Sequence, residues 1–270
     1  PPPEPGAHWL CCDPAHLHFS RDRLLLADAS SLAITRAEAD TLITGLNELF
    51  ADIGRFEAPS PDRWYVALTE EPRPFFHPLA DVNGRPIQLF MPEGEDIARW
   101  ARLANELEVW LYNHPINAAR EATGQRSING VWLWGAGPQD LPLRAPASQI
   151  QADAPFARGL ALHAGITPRP ATRYIEGTGF AVIDTLQRPS LHFDATAWLS
   201  AIAQLETDWF APLLKALKAK KITALRISAP GDKNHLQLDV KASSLWKFWR
   251  KPRPLAALLA TAPQPNPQNP

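Results

Sequence analysis

The stretch that decides the fold lies near the middle of the chain, between residues 113 and 137. Residues 113–117 read Asn-His-Pro-Ile-Asn, Arg120 follows, and residues 129–137 read Asn-Gly-Val-Trp-Leu-Trp-Gly-Ala-Gly. This pattern predicts a buried strand over 130–134 that ends in a Gly-x-Gly turn, where exposed backbone N–H groups can hold an anion. A strand-to-loop turn without a ligand has the same pattern, so the motif alone leaves both interpretations open.

Periodic segments lie on both sides of this stretch. On its N-terminal side, a capping box of Thr35 and Glu38 predicts the start of one helix, and a second helix is predicted over 95–113. Extended segments are predicted on that side over 15–19, 24–27, 64–68 and 86–90. On the C-terminal side we expect a helix over 155–164, a strand over 180–184, a helix over 195–217 interrupted near Pro212, and a hairpin of 222–227 with 236–240. Strands separated by helices favour an α/β core preceded by a mixed α+β lobe.

Composition excludes several classes of protein. Ten of the 28 prolines lie in residues 1–5 and 252–270, and the chain is 45% hydrophobic, so it is not a proline-rich disordered protein. A net charge of −1 gives no global support for nucleic-acid binding. Because the chain opens on Pro1 and its single methionine is Met91, we expect a fragment or a processed form.

The two cysteines are adjacent, at Cys11 and Cys12. Adjacent cysteines form a disulfide only with strain, so both are predicted to be reduced, which favours a cytoplasmic location. Whether they sense oxidation or only fill space stays open at this point. No apolar run reaches the roughly 18 residues of a membrane span. The predicted organisation is an extended tail (1–8), an α+β lobe (9–125), half of an α/β core (126–260) and a disordered tail (261–270).

The central stretch closely resembles the archaeal-type cofactor-independent phosphoglycerate mutases of the alkaline phosphatase superfamily. In that family a helix ending in His-Pro-x-Asn and a downstream Arg lead into an Asn-x-(Ile/Val)-Trp-Leu-(Trp/Arg)-Gly-x-Gly strand. Residues 113–120 and 129–137 match this pattern, and weaker similarity covers roughly residues 9–230. The resemblance implies an α/β fold with a three-layer alkaline-phosphatase-like core, its N-terminal part preceding Pro1, and an α+β lobe of the substrate-binding type.

The resemblance also implies a pocket for a phosphorylated small acid or for phosphate. Its candidate ligand-binding residues are Arg63, His77, His114, Asn117, Arg120, Asn129, Gly135 and Gly137. Arginine suits such a ligand because its guanidinium can bind an oxyanion through two parallel hydrogen bonds. Each polar candidate also has a structural interpretation, as a strand cap, a surface ion pair or the end of a helix.

The metal centre of that superfamily is where the sequence departs from the pattern. The family holds two metal ions with Asp and His and phosphorylates a Ser or Thr, and the first metal ligand and the nucleophile would precede Pro1. Asp184 and His192 are the remaining candidate ligands, but Arg188 stands where the resemblance implies an aspartate. The strand predicted over 222–227 ends in Ser-Ala-Pro at 228–230, without a ligand pair. We therefore assign no catalytic residue and expect no cofactor, with manganese or zinc as the alternative.

These departures make the chain similar to a bacterial side branch labelled RpfE-type regulatory or phosphoglycerate-mutase-like proteins. That similarity implies a non-catalytic protein with a regulatory or ligand-sensing role and an unidentified protein partner. One alternative is an active mutase or phosphotransferase. Another is a module over 241–253 that binds anionic lipid or single-stranded nucleic acid through Trp246, Trp249 and Arg250. Docking of the two tryptophans on the core is favoured over that module, so nucleic acid and membrane surfaces are disfavoured as partners.

Overall fold

The structure is a computed structural model of the 270-residue chain, and it describes residues 8–138, 142–191, 193–230 and 235–246. The chain forms two compact units, Pro1–Pro142 and Leu143–Pro270. Both units contain helices and strands, which confirms the mixed α/β class. The division falls later than the boundary predicted after residue 125, because the strand that begins at Gly130 pairs with the first strand of the chain. The predicted C-terminal tail, and all but the last residue of the N-terminal one, lie outside the described residues.

A five-stranded sheet forms the centre of the first unit. Its strands are β1 (His8–Ser20), β2 (Arg23–Asp28), β3 (Gly54–Ser60), β4 (Arg63–Leu68) and β5 (Gly130–Pro138). Four of them follow the order β2-β1-β4-β3, and β5 also pairs with β1. Every pairing is antiparallel, and the length of β1 allows it to pair with β2, β4 and β5.

Four helices accompany this sheet: α1 (Arg36–Leu49), α2 (Leu79–Val82), α3 (Ile97–Tyr112) and α4 (Pro115–Ala122). The capping box at the start of α1 is confirmed. Buried leucines of α1 and α3 pack with Trp64 of β4 in one hydrophobic core. The extended segment predicted over 86–90 was wrong, because a 3₁₀ turn over Ile87–Phe90 forms when the Leu89 N–H donates to the Pro86 carbonyl at 3.2 Å.

The second unit carries two small sheets. Its elements are β6 (Ile150–Ala152), α5 (Pro155–His163), β7 (Phe180–Val182), α6 (Gln187–Leu191), α7 (Ala195–Leu205), α8 (Ala211–Lys218), β8 (Ala224–Pro230) and β9 (His235–Lys241). β6 and β7 form a parallel pair, and β8 and β9 form the predicted antiparallel hairpin, whose turn around Gly231 lies outside the described residues. A π-helical turn over Glu206–Phe210 separates α7 from α8, which confirms the interruption predicted near Pro212.

Leu205, Trp209 and Leu213 line the small core of this second unit. Much of the surface beyond that core is apolar: Leu199 on α7 is 64% exposed and Leu238 on β9 is 50% exposed. Within the described part of the chain, no helix is both long enough and apolar enough to span a lipid bilayer.

Candidate functional site

His114 and Asn117 organise the start of α4. The His114 ring caps the helix by accepting the Ile116 N–H at Nδ1 (3.2 Å), and burial lowers the pKa of this histidine. Asn117 is 3% exposed; its side-chain amide donates to the carbonyls of Leu111 and Ile128, and its oxygen accepts the Ile128 N–H, at 2.7–2.8 Å. The Asn117 side chain therefore fixes the end of α3 to the residues that lead into β5.

Arg120 is a buried structural arginine. Its side chain is 1% exposed, and each of its three nitrogens donates to a protein oxygen. Nε donates to the Arg126 carbonyl (2.7 Å), Nη1 to the Glu38 carboxylate (2.8 Å) and Nη2 to the Leu32 carbonyl. The guanidinium thus connects α4 to the start of α1 and to the loop between β2 and α1.

Asn129 pairs with the backbone of β1. Its amide nitrogen donates to the Leu17 carbonyl at 2.9 Å, and its amide oxygen accepts the Leu17 N–H at 2.7 Å. The side chain therefore acts as a further rung of the sheet just before β5 begins.

The Gly-x-Gly segment is part of a strand, which corrects the prediction that it forms a turn, and the anion-binding role of Gly135 and Gly137 stays a prediction. β5 continues to Pro138, and its register opposite β1 pairs Trp134 with Cys11 and Gly137 with Trp9. The extra residue on β5 between these pairs makes a β-bulge, in which Gly135 takes a φ of +65°. The turn was predicted in error because the partner strand lies more than a hundred residues earlier in the sequence.

Arg63 belongs to a cluster that the sequence did not reveal, centred on Asp13 of β1. The Asp13 side chain is fully buried, and its Oδ2 lies 2.9 Å from both Nη1 of Arg63 and the indole nitrogen of Trp134. Its Oδ1 accepts the backbone N–H of Trp64 at 3.3 Å. The Arg63 guanidinium also lies over the Trp134 ring, 5.5 Å from its centroid, with 32% of the side chain exposed. One carboxyl group therefore links β1, β4 and β5.

Burial dominates the electrostatics of this cluster. Desolvation raises the pKa of Asp13 to about 6, although Arg63 and the hydrogen-bond donors oppose that rise. Burial, reinforced by the Asp13 charge, raises the pKa of Cys11 to about 12 and raises that of Cys12 as well. Neither cysteine forms a disulfide, and both thiols are protonated near neutral pH, which makes them poor nucleophiles.

His77 lies apart from these residues and lines a cavity of about 60 Å³ between α3, β5 and the segment over residues 76–92. Its Nε2 is 3.3 Å from the Glu93 carboxylate, and its ring meets Phe75 and Phe90 edge-on. Its backbone carbonyl accepts the indole N–H of Trp132 at 2.8 Å. The cavity lining contains no other member of the predicted ligand-binding set among the residues that the structure describes.

The described residues of the second unit do not assemble the two-metal site that the resemblance implies. Asp184 is exposed, and its carbonyl accepts the Gln187 N–H (2.8 Å) at the start of α6, so Arg188 follows about one helical turn later. Ser228, at the end of β8, hydrogen-bonds His235 at 2.5 Å. Across the described ranges, no group of three or more His, Cys, Asp and Glu residues is arranged to hold a metal ion.

Four further predicted residues fall at the edge of the described ranges or outside them. His192, Trp249 and Arg250 lie outside these ranges, and Trp246 ends a 3₁₀ turn over Ala242–Trp246. Their candidate roles stay predictions. The sequence did not single out Asp13 and Trp134 as site residues. The feature that could have drawn attention to them is the position of Asp13, an acid after the apolar residues at the start of β1.

Fold and site together define a mixed α/β protein in which four of the eight predicted ligand-binding residues use their side chains to hold the protein's own backbone. No family model matches the chain. It is similar in sequence to 2,3-bisphosphoglycerate-independent phosphoglycerate mutases, being 27% identical to that of Methanosarcina barkeri over 165 residues, which are 57% of this chain and 40% of the relative. For a second such mutase, from Methanothermobacter thermautotrophicus, identity is 31% over 121 residues, covering 42% and 29% of the two chains.

The matched part therefore spans about two fifths or less of the length of these archaeal relatives. A solved cofactor-independent phosphoglycerate mutase from Thermoplasma acidophilum aligns with a TM-score of 0.38 and 12% identity, covering 76% of this chain and 63% of the other. The sequence relationship confirms that the chain is phosphoglycerate-mutase-like.

Proposed function

We propose that this chain is a phosphoglycerate-mutase-like protein that lacks catalytic activity and has a regulatory or ligand-sensing role. The observation that carries the proposal is the position of Arg188. Arg188 lies in α6, four residues after Asp184, at the position where the resemblance implies an acidic metal ligand. A guanidinium there repels a divalent cation, and the in-line displacement of the family depends on two such cations.

The ligand implied by the resemblance is a phosphorylated small acid or inorganic phosphate. Asn117, Arg120 and Asn129 already use their polar side-chain atoms within the protein, so the anion-binding role falls to Arg63. The Arg63 side chain is partly exposed, and its guanidinium forms an ion pair with the Asp13 carboxylate. Protonation of Asp13 releases the guanidinium for an external anion, so anion binding is expected to strengthen as the pH falls towards 6.

The proposal also covers the architecture of the core, the branch of the family and the cellular location. Two-stranded pieces such as β6–β7 and β8–β9 are stable only when further elements pack on them, which supports their belonging to a three-layer alkaline-phosphatase-like core. We place the chain in the bacterial RpfE-type branch, with a cytoplasmic location and a protein partner still to be identified. The degraded ligand set around Arg188 supports that placement.

Metal analysis and a mutase assay test the loss of catalysis. The full chain is purified, its manganese and zinc content is measured, and conversion of 3-phosphoglycerate to 2-phosphoglycerate is followed with added manganese. We expect substoichiometric metal and no turnover above the buffer rate. Turnover that persists through purification to homogeneity would overturn the proposal and favour an active mutase.

Thermal unfolding with millimolar 3-phosphoglycerate or inorganic phosphate tests ligand sensing. A ligand at ten times its dissociation constant stabilises the folded state by about 1.4 kcal/mol, so the unfolding midpoint is expected to rise measurably. An Arg63→Lys variant is expected to lose most of that rise, whereas Arg99→Lys, an exposed surface control, retains it. Equal midpoints with and without ligand contradict a retained anion pocket.

A further inference from the structure

The cavity beside His77 has aromatic walls and a single carboxylate. Helix α3 supplies Trp100 and Glu108 to its lining, β5 supplies Trp132, and the loop before α3 supplies Phe76 and Phe90. Lysine and arginine are absent from the described residues that line it. Its volume of about 60 Å³ exceeds the roughly 10–15 Å³ that one water molecule needs.

Packing fixes the aromatic walls in place. Phe76 and Trp100 meet edge-to-face, with ring centroids 5.1 Å apart. The indole N–H of Trp132 donates to the His77 carbonyl, which ties that ring to the segment that contains His77. The Arg85 guanidinium lies over the Phe90 ring at 4.6 Å, which helps to hold it in position. The cavity is therefore preformed, and a ligand would not have to order its aromatic side chains.

Glu108 is the charged group of the cavity. Its aliphatic stem lies against β5, with Cγ 3.8 Å from the position that a Cβ on Gly130 would occupy. Within the described parts of the chain, its carboxylate has no hydrogen-bond or ion-pair partner, and burial raises its pKa. A carboxylate beside apolar walls is poorly solvated, so an incoming cation would relieve an existing electrostatic penalty.

We propose that this cavity binds a small free organic cation, whose alkylammonium head contacts the aromatic walls and pairs with the Glu108 carboxylate. Aromatic faces attract such cations through their quadrupoles, and the methyl groups of the head gain from the apolar lining. Phosphates and other anions are disfavoured, since Glu108 repels them and neither lysine nor arginine is among the described residues that line the cavity. This site is separate from the Arg63 cluster and does not depend on the proposed regulatory function.

A comparison of a cation with its neutral isostere tests the proposal. Choline and 3,3-dimethylbutan-1-ol have nearly the same shape and differ in charge, and tetramethylammonium represents the head alone. Each is titrated into the full chain by calorimetry, with tryptophan fluorescence reporting on Trp100 and Trp132. We expect choline and tetramethylammonium to bind, with choline on the order of tenfold tighter than the neutral alcohol.

Matched variants assign the effect to one carboxylate. Glu108→Gln keeps the shape of the side chain and is expected to weaken choline binding on the order of tenfold, leaving the alcohol unchanged. Glu106→Gln, on the exposed face of α3, is the control and is expected to bind choline like the parent chain. Urea midpoints of both variants, which should match the parent or exceed it, show that they fold.

Three results overturn the proposal. These are absence of choline binding, equal affinity for choline and its neutral isostere, and an unaltered affinity in Glu108→Gln. Phosphatidylcholine vesicles form a further arm of the experiment: sedimentation of the chain with vesicles but no binding of free choline also overturns it, because the headgroup of a lipid surface would then be the ligand.

Discussion

Replacing Arg120 by methionine distinguishes a structural arginine from a ligand-binding one. The change removes three hydrogen bonds and takes the Arg120 donor away from Oε1 of Glu38 and from the carbonyls of Leu32 and Arg126. Each buried carbonyl left unpaired costs about 1–3 kcal/mol, and removing one partner of a buried ion pair costs about 3–5 kcal/mol. These contributions overlap, and Glu38 is 19% exposed, so we expect the free energy of unfolding to fall by about 3–5 kcal/mol in total.

Urea denaturation followed by tryptophan fluorescence measures this loss. Arg126→Met is the matched control, because the Arg126 side chain is exposed and donates a long hydrogen bond of 3.4 Å to the Ser31 hydroxyl, so a change within about 0.5 kcal/mol is expected. A loss below about 1 kcal/mol in Arg120→Met refutes the reasoning. If that variant kept its stability and lost phosphate binding, Arg120 would return to the ligand-binding set.

Three further outcomes are expected. The pKa of Asp13 is raised from 3.8 to about 6, so the folded state binds the proton more tightly than the unfolded chain. The contribution of Asp13 to stability is fully present below pH 3.8, and about 3 kcal/mol is lost as the pH rises through 6. Urea titrations at several pH values should show this fall in the free energy of unfolding, and Asp13→Asn should abolish it. Gly54→Ala places a Cβ 2.2 Å from the Ala67 carbonyl oxygen and should destabilise the first unit by about 1–3 kcal/mol, whereas Gly159→Ala, with open space around its Cβ, should not destabilise. Thr35→Ala removes the N-cap of α1 and should cost about 1 kcal/mol in the same assay, and an unchanged midpoint would contradict the capping role.

The elements that could be predicted from the sequence are those set by interactions between residues close together in the chain. The start of α1 follows from Thr35 and its capping partner, and the break before Pro212 follows from the missing N–H of proline. Both depend on residues within one or two helical turns. The β8–β9 hairpin is similar, because its two apolar strands are close in sequence.

Long-range pairing explains the predictions that failed. Whether Gly135 and Gly137 form a turn or a strand depends on β1, which lies more than a hundred residues earlier. The Asp13 cluster likewise exists only because the register of the sheet brings Arg63 and Trp134 to one carboxyl group. No pattern within β1 alone contains that information.

In this chain, the residues that support similarity of fold to the mutases differ from those that would support similarity of chemistry. Asn117, Arg120 and Asn129 carry the most specific part of the resemblance to the mutases, and each holds the backbone around α4 and β5. Replacing any of them would leave buried backbone groups unpaired, so they are required for the fold whether or not a reaction takes place. Metal ligands differ in this respect, because an exposed position such as Arg188 can change without disturbing a core. The fold around residues 113–137 therefore does not depend on whether the chain holds metal ions.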